Sequence, residues 1–106
     1  MHVHSVFFWL KPDLTAAQRA EFLRGIESLT GIKSVEKLYV GTPAPLPPRP
    51  VVDATYTYAM TVVFKNVAGH DRYQVDPIHK IFLGNFRRFW IKVGLPRKSG
   101  HQFRRL

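Results

Sequence analysis

His79 and Tyr73 are the residues of this sequence whose types and spacing suit acid–base chemistry at a carbon next to a carbonyl. A neutral imidazole takes up a proton near physiological pH, and a phenol donates a hydrogen bond to a carbonyl oxygen on which charge is building. At about 100° per residue, His79 falls on an apolar arc with Ile78, Phe82, Leu83, Phe86, Phe89 and Trp90, while Lys80, Arg87 and Arg88 lie outside it. It also sits in the first turn of the helix that Asp76-Pro77 opens, where the positive helix end disfavours imidazolium. Tyr73 is six residues earlier, about 120° away on an unbroken helix. Proline in a helix interior breaks the turn, so the second piece is re-aimed and both side chains can converge on one cavity between helix and sheet. His4 and Tyr58 are the polar groups expected to reach that cavity from the first and third strands. The plainer alternative is a histidine held in the core by hydrogen bonds.

Other chemistries find less support. His2 and His4 share one strand face as two arms of a metal site, but no third histidine or carboxylate pair has a spacing that completes it, so no metal is expected. His70 and His101 stand in polar stretches and are expected at the surface. There is no glycine-rich phosphate loop, serine nucleophile elbow or acid pair. With no cysteine, disulfides and thiolate chemistry are excluded. Sixteen Lys and Arg against seven Asp and Glu give a net charge of +9. No acid follows Asp76, whereas Lys80, Arg87, Arg88, Lys92, Arg97, Lys98, Arg104 and Arg105 do. Without aromatic–basic interleaving or a nucleic-acid motif, this reads as a solvated face and tail rather than a nucleic-acid site. No apolar run is long enough to span a bilayer and no signal segment is evident, which predicts a cytoplasmic protein without a membrane partner.

The elements that must hold these residues follow from local patterns. At 106 residues with 45% hydrophobic side chains, one domain spanning 1–106 is expected. Residues 2–10 (HVHSVFFWL) are β-branched and aromatic, and Lys11-Pro12-Asp13 stops them as strand one. Thr15 opens a helix as cap, with Gln18 as its capping-box partner, and Ala20, Phe22, Leu23, Ile26 and Leu29 recur at helical spacing up to Gly31. Strands two and three are 34–40 and 56–64, joined by a connection at 42–55 that holds five of the eight prolines and predicts a projecting loop. Helical patterning resumes at Val67, breaks at Asp76-Pro77 and runs to about Trp90. A fourth strand then falls in 91–95 or in 101–106, and the pattern does not choose between them. The order β-α-β-β-α-β is the ferredoxin-like α+β arrangement, with both helices on one face of an antiparallel sheet. Strands one and three carry apolar residues on both faces, so the face without helices is expected to bury itself against a second copy of the chain, as a homodimer.

With these residues in view, the chain resembles the stress-responsive A/B barrel (Dabb) family of dimeric α/β barrels. The resemblance runs from VHSVFFWLK through LTAAQRAEFL and GTPAP to YQVDPIHKIFLGNFRRFW. Its most specific part is the Asp76-Pro77-Ile78-His79 element, with Phe82 three residues on and Phe89-Trp90 beyond. The resemblance implies a dimeric ferredoxin-like barrel. The family includes plant polyketide cyclase activity that needs no cofactor, and there the catalytic histidine and tyrosine fall on His79 and Tyr73. A pocket histidine falls on His4, and apolar pocket positions fall on Val6, Phe8, Phe22, Leu23, Ile26, Phe82 and Trp90. Tyr58 replaces a second pocket histidine, and Asp76 replaces the histidine before the helix proline. The function so implied is binding of a hydrophobic, polyketide-like or aromatic carbonyl compound, with cyclase, isomerase or lyase chemistry. A stress-associated structural dimer without chemistry is the alternative.

Overall fold

The structure is a computed structural model that describes residues 1–43, 55–96 and 103–105. Most of the proline-rich connection, and His101, lie outside the described residues.

Strand β1 (His2–Leu10) is the β-branched and aromatic run that the sequence marked out. Helix α1 (Ala16–Ser28) begins with the expected capping box: the Thr15 hydroxyl accepts from the Gln18 amide at 3.1 Å, and the Gln18 side chain accepts from the Thr15 amide at 2.8 Å. Strands β2 (Val35–Gly41) and β3 (Tyr58–Phe64) follow. Helix α2 (Val67–Val75) starts at an Asn66 cap, and α3 (Pro77–Phe86) starts at Asp76, whose carboxylate accepts from the Ile78 amide at 2.8 Å. The α2 and α3 axes are therefore separated where proline forbids one continuous helix.

β2 is shifted by one residue and β3 starts two residues later than expected, and two features of the C-terminal part differ from the sequence reading for tertiary reasons. The helical pattern ends at Phe86, and a 3₁₀ turn (Arg87–Phe89) leads into β4 (Trp90–Pro96). Trp90 leaves the helix because β1 pairs with it: Leu10 faces Trp90, and the Lys11 amide donates to the Phe89 carbonyl at 2.9 Å. Both competing C-terminal segments contain a strand. β4 pairs with β1, and β5 (Phe103–Arg105) pairs with β4 at the edge.

The sheet order is β2-β3-β1-β4-β5, and every neighbouring pair is antiparallel. Its first four strands have the ferredoxin-like order. Val6, Phe8 and Leu10 of β1 and Met60, Val62 and Phe64 of β3 form the inward face, closed by Phe22, Ile26 and Leu29 from α1 and its following turn and by Tyr73, Phe82 and Phe86 from α2 and α3. Burial of such side chains supplies roughly 1.5–3 kcal/mol each, the main favourable term in holding these layers together. Period-two alternation sends Val3, Ser5, Phe7 and Trp9 to the opposite face. There Val3 faces Val63, Ser5 and Thr61 pair their hydroxyls at 3.0 Å, and Phe7 faces Ala59. Val3 is 51% exposed and Tyr39, beside Thr61, is 57% exposed. No helix of the described residues is long and apolar enough to cross a membrane.

Candidate functional site

The break at Asp76-Pro77 places the Tyr73 and His79 rings 4.5 Å apart between centroids, inclined at 44°. Tyr73 is 1% exposed and packs on Phe64 of β3. Burial pushes its hydroxyl well above the usual phenol range, so it stays protonated and able to donate. Among the described residues the hydroxyl has no hydrogen-bond partner, although the ring is fully packed. His79 is half-buried at the start of α3. Its Nδ1 lies 3.3 Å from the Gln74 carbonyl. With Nδ1 carrying the ring hydrogen, His79 donates to that carbonyl and Nε2 remains the proton acceptor. Loss of water lowers its affinity for a proton and the neighbouring His70 adds to this, against the opposing pull of the Gln74 carbonyl and Asp76. The ring is thus neutral, as its helix position predicted, but desolvation is the leading cause.

His4 reaches the same place from β1, 6.3 Å from Tyr73. Its pKa falls to about 4, first through burial and then through His70, His2 and His79. His70, expected at the surface, is drawn into this cluster while part of its ring stays in solvent. It lies half-buried 4.5 Å from His4, 5.0 Å from His2, 5.4 Å from Phe64 and 6.2 Å from Tyr73. Helix α2 lies against the sheet at Gly69, which is buried beside Phe64 Cβ, at a distance where even a methyl group would make an ordinary contact of 3.4 Å. The signal was in the spacing: His70 is three residues before Tyr73 and so shares its helix face. Gln74 is the other residue that sequence reasoning missed. Its side-chain amide donates to His70 Nε2 at 3.0 Å while its backbone carbonyl holds His79, so one residue orients both rings. His70 stands where a third arm would join His2 and His4, yet the described residues include no group of His, Asp or Glu placed to hold a metal ion.

The apolar residues expected around the site form a continuous aromatic core. Phe22 of α1 packs on Phe8 at 5.1 Å, Tyr58 at 5.9 Å, Phe82 at 6.0 Å and Trp90 at 6.4 Å. Val6, Phe8, Phe22, Ile26 and Phe82 are buried, while Leu23, Tyr58 and Trp90 keep partial exposure. Tyr58 is not brought to the histidines. It pairs with Phe8, four residues along β1 from His4, a separation of about 13 Å at ~3.3 Å per residue.

Two layers, a four-strand antiparallel core sheet in the order β2-β3-β1-β4 and a polar cluster where α2 and α3 meet β1 define a ferredoxin-like α+β protein. Residues 3–94 match the Stress responsive A/B Barrel Domain, and the chain belongs to this Dabb family. Among solved structures, its fold is similar to that of a hydroxynitrile lyase from Passiflora edulis, with 20% identity, 98% of this chain and 91% of that one covered, and a TM-score of 0.72. It is also similar to a Dabb family protein with a ferredoxin-like fold from Mesorhizobium loti, with 22% identity, coverages of 86% and 87%, and a TM-score of 0.69. A dimeric ferredoxin-like protein of unknown function from Thermobifida fusca aligns at 17% identity with coverages of 86% and 82% and a TM-score of 0.69. No curated protein matches the sequence.

Proposed function

We propose that the protein is a homodimer that binds a hydrophobic carbonyl compound and acts on it without a cofactor, as a cyclase, isomerase or lyase. The observation that carries this reading is the pairing of a buried, protonated phenol with a half-buried, neutral imidazole at 4.5 Å. Nε2 of His79 removes a proton from carbon next to the carbonyl, and the Tyr73 hydroxyl hydrogen-bonds the oxygen that becomes negative. The resulting enolate attacks a second carbonyl, whose oxygen then takes the proton from His79, or it accepts that proton from His79 at another carbon to give an isomer. A base so placed contributes about 10²–10⁴-fold in rate. The same pair run in reverse cleaves a carbon–carbon bond, and the lyase of similar fold supports that variant of the chemistry. The aromatic side chains around Phe22, with Tyr58 and Trp90 at their exposed margin, suit an apolar ligand body. The homodimer reading rests on the exposed apolar face carrying Val3 and on the dimeric relative of similar fold.

A panel of β-polyketones and hydroxynitriles, assayed for turnover with the wild-type protein and with His79→Ala and Tyr73→Phe, tests the proposal. Turnover of one panel member is expected, with a loss of at least about 10²-fold in His79→Ala. An active substrate whose turnover survives in that variant removes His79 from the mechanism. The second reading, a structural dimer without chemistry, is favoured by the near-complete burial of Tyr73 and by the bond from His79 to main chain. Inactivity of the whole panel together with a fully folded dimer supports that reading instead.

A further inference from the structure

Three imidazoles from three elements meet around Tyr73, His4 on β1, His70 on α2 and His79 on α3, and a fourth, His2 on β1, joins them through His70. Successive rings stand 5.0 Å (His2 and His70), 4.5 Å (His70 and His4) and 6.3 Å (His4 and Tyr73) apart, and all four histidines are only partly buried. The acids that act on them are Asp71 of α2, which raises His70, and Asp76 at the α3 cap, which raises His79. The inward positions of β3 beside them, Val62 and Phe64, are apolar. Among the described residues no carboxylate is hydrogen-bonded to any of the four rings, and the one partner of His70 is the Gln74 amide. The result is a group of nitrogen donors and acceptors, reachable by solvent, to which no carboxylate of the described residues is hydrogen-bonded. The net charge of +9 favours arrival of an anion at the protein.

We infer that His2, His4 and His70 form an anion subsite beside Tyr73 and His79, and that it takes the carboxylate of an oxo acid with an apolar body. Phe64, fully buried 5.4 Å from His70 and 6.2 Å from His2, backs the cluster from the core and keeps its surroundings apolar. The separation of His4 and of His70 from Tyr73, 6.3 and 6.2 Å, matches a carboxylate a few bonds away from the carbonyl that Tyr73 would hold. That placement of the carbonyl rests on the proposed function, whereas the anion site does not. Burial, and secondarily the repulsion of neighbouring imidazoles, keep His4 and His70 uncharged at neutral pH, so the carboxylate enters together with one proton from solvent. The proton settles on an imidazole and turns its contact into a charge-assisted hydrogen bond. Binding therefore tightens as pH falls, by about tenfold per pH unit for one proton taken up.

Titration calorimetry on the full chain with benzoate, benzyl alcohol and inorganic phosphate, at pH 7.5 and 6.0, tests this. Benzoate is expected to bind at least tenfold more tightly at pH 6.0 with uptake of about one proton, while benzyl alcohol shows no pH dependence. His70→Gln and His2→Gln, each checked for native near-ultraviolet dichroism, are expected to weaken benzoate at least tenfold at pH 6.0 and to flatten its pH dependence. Benzoate affinity equal at the two pH values, or unchanged in both variants, overturns the subsite. Phosphate binding as tightly as benzoate overturns the carboxylate with an apolar body as its ligand. Benzoate bound as expected by a protein inactive on every carbonyl panel member overturns the acid–base reading and leaves the subsite standing. Turnover without proton-linked benzoate binding does the reverse.

Discussion

Lowering the pH from 6.5 to 4.5 is expected to destabilise the fold through His4. In the unfolded chain this imidazole takes up a proton near 6.5, and in the folded protein only at about 4, chiefly because the ring has lost water and secondarily because His70, His2 and His79 surround it. A group whose folded pKa lies below its unfolded value binds fewer protons in the native state. Its contribution is therefore intact above pH 6.5 and is lost as pH falls towards 4. A fall from 6.5 to about 4 corresponds to roughly 3 kcal/mol at ~1.4 kcal/mol per pH unit. Solvent still reaches part of the ring and screens it, which brings the expected loss to roughly 2 kcal/mol, most of it above pH 4.5. Urea unfolding followed by tryptophan fluorescence, at fixed protein concentration and at half-unit steps from pH 7.5 to 4.5, measures the slope. His4→Gln removes the titrating group, and its stability is expected to fall markedly less over the same window. Equal slopes in the two proteins, or a flat wild-type profile, would refute desolvation of His4 as the source.

Gly25→Ala tests the packing of α1 on α3: a methyl group at this buried position overlaps the Phe86 ring, itself hemmed in by Phe22, Phe82 and Phe89. Overpacking of about 1–3 kcal/mol outweighs a helix-propensity gain of up to about 1 kcal/mol, so the melting temperature drops by several degrees, and a rise would contradict the contact. Asp76→Ala removes the α3 cap at a cost of about 1 kcal/mol and takes away an acid that raises His79, so the His79 ring resonance, followed by NMR, should titrate at lower pH than in the wild type. Val3→Glu places a charge on the exposed sheet face, and sedimentation is expected to show conversion of a dimer to single copies. A variant that stays dimeric moves the interface elsewhere.

The residues that speak for themselves are those whose partners are near in sequence. Thr15 and Gln18 build their capping box, Asp76 caps and Pro77 opens α3, and the apolar runs of β1 and β3 become strands, because each needs only three or four neighbouring residues to satisfy its backbone. The approach of Tyr73 to His79 belongs with them, since it follows from one proline between two short helices. What local pattern leaves undecided is set by pairing across the sheet. Trp90 continues an apolar helical arc, yet it forms a strand because the edge of β1 requires a hydrogen-bonding partner. Tyr58 reads as a site residue, yet the β1–β3 register sets it beside Phe8 and away from His4. His70 stands in a polar stretch of sequence, but α2 lies close against the sheet at Gly69 and brings it to histidines more than sixty positions away. The charge state of the site is likewise a tertiary property, because burial and the mutual repulsion of four imidazoles arise only when β1, α2 and α3 come together.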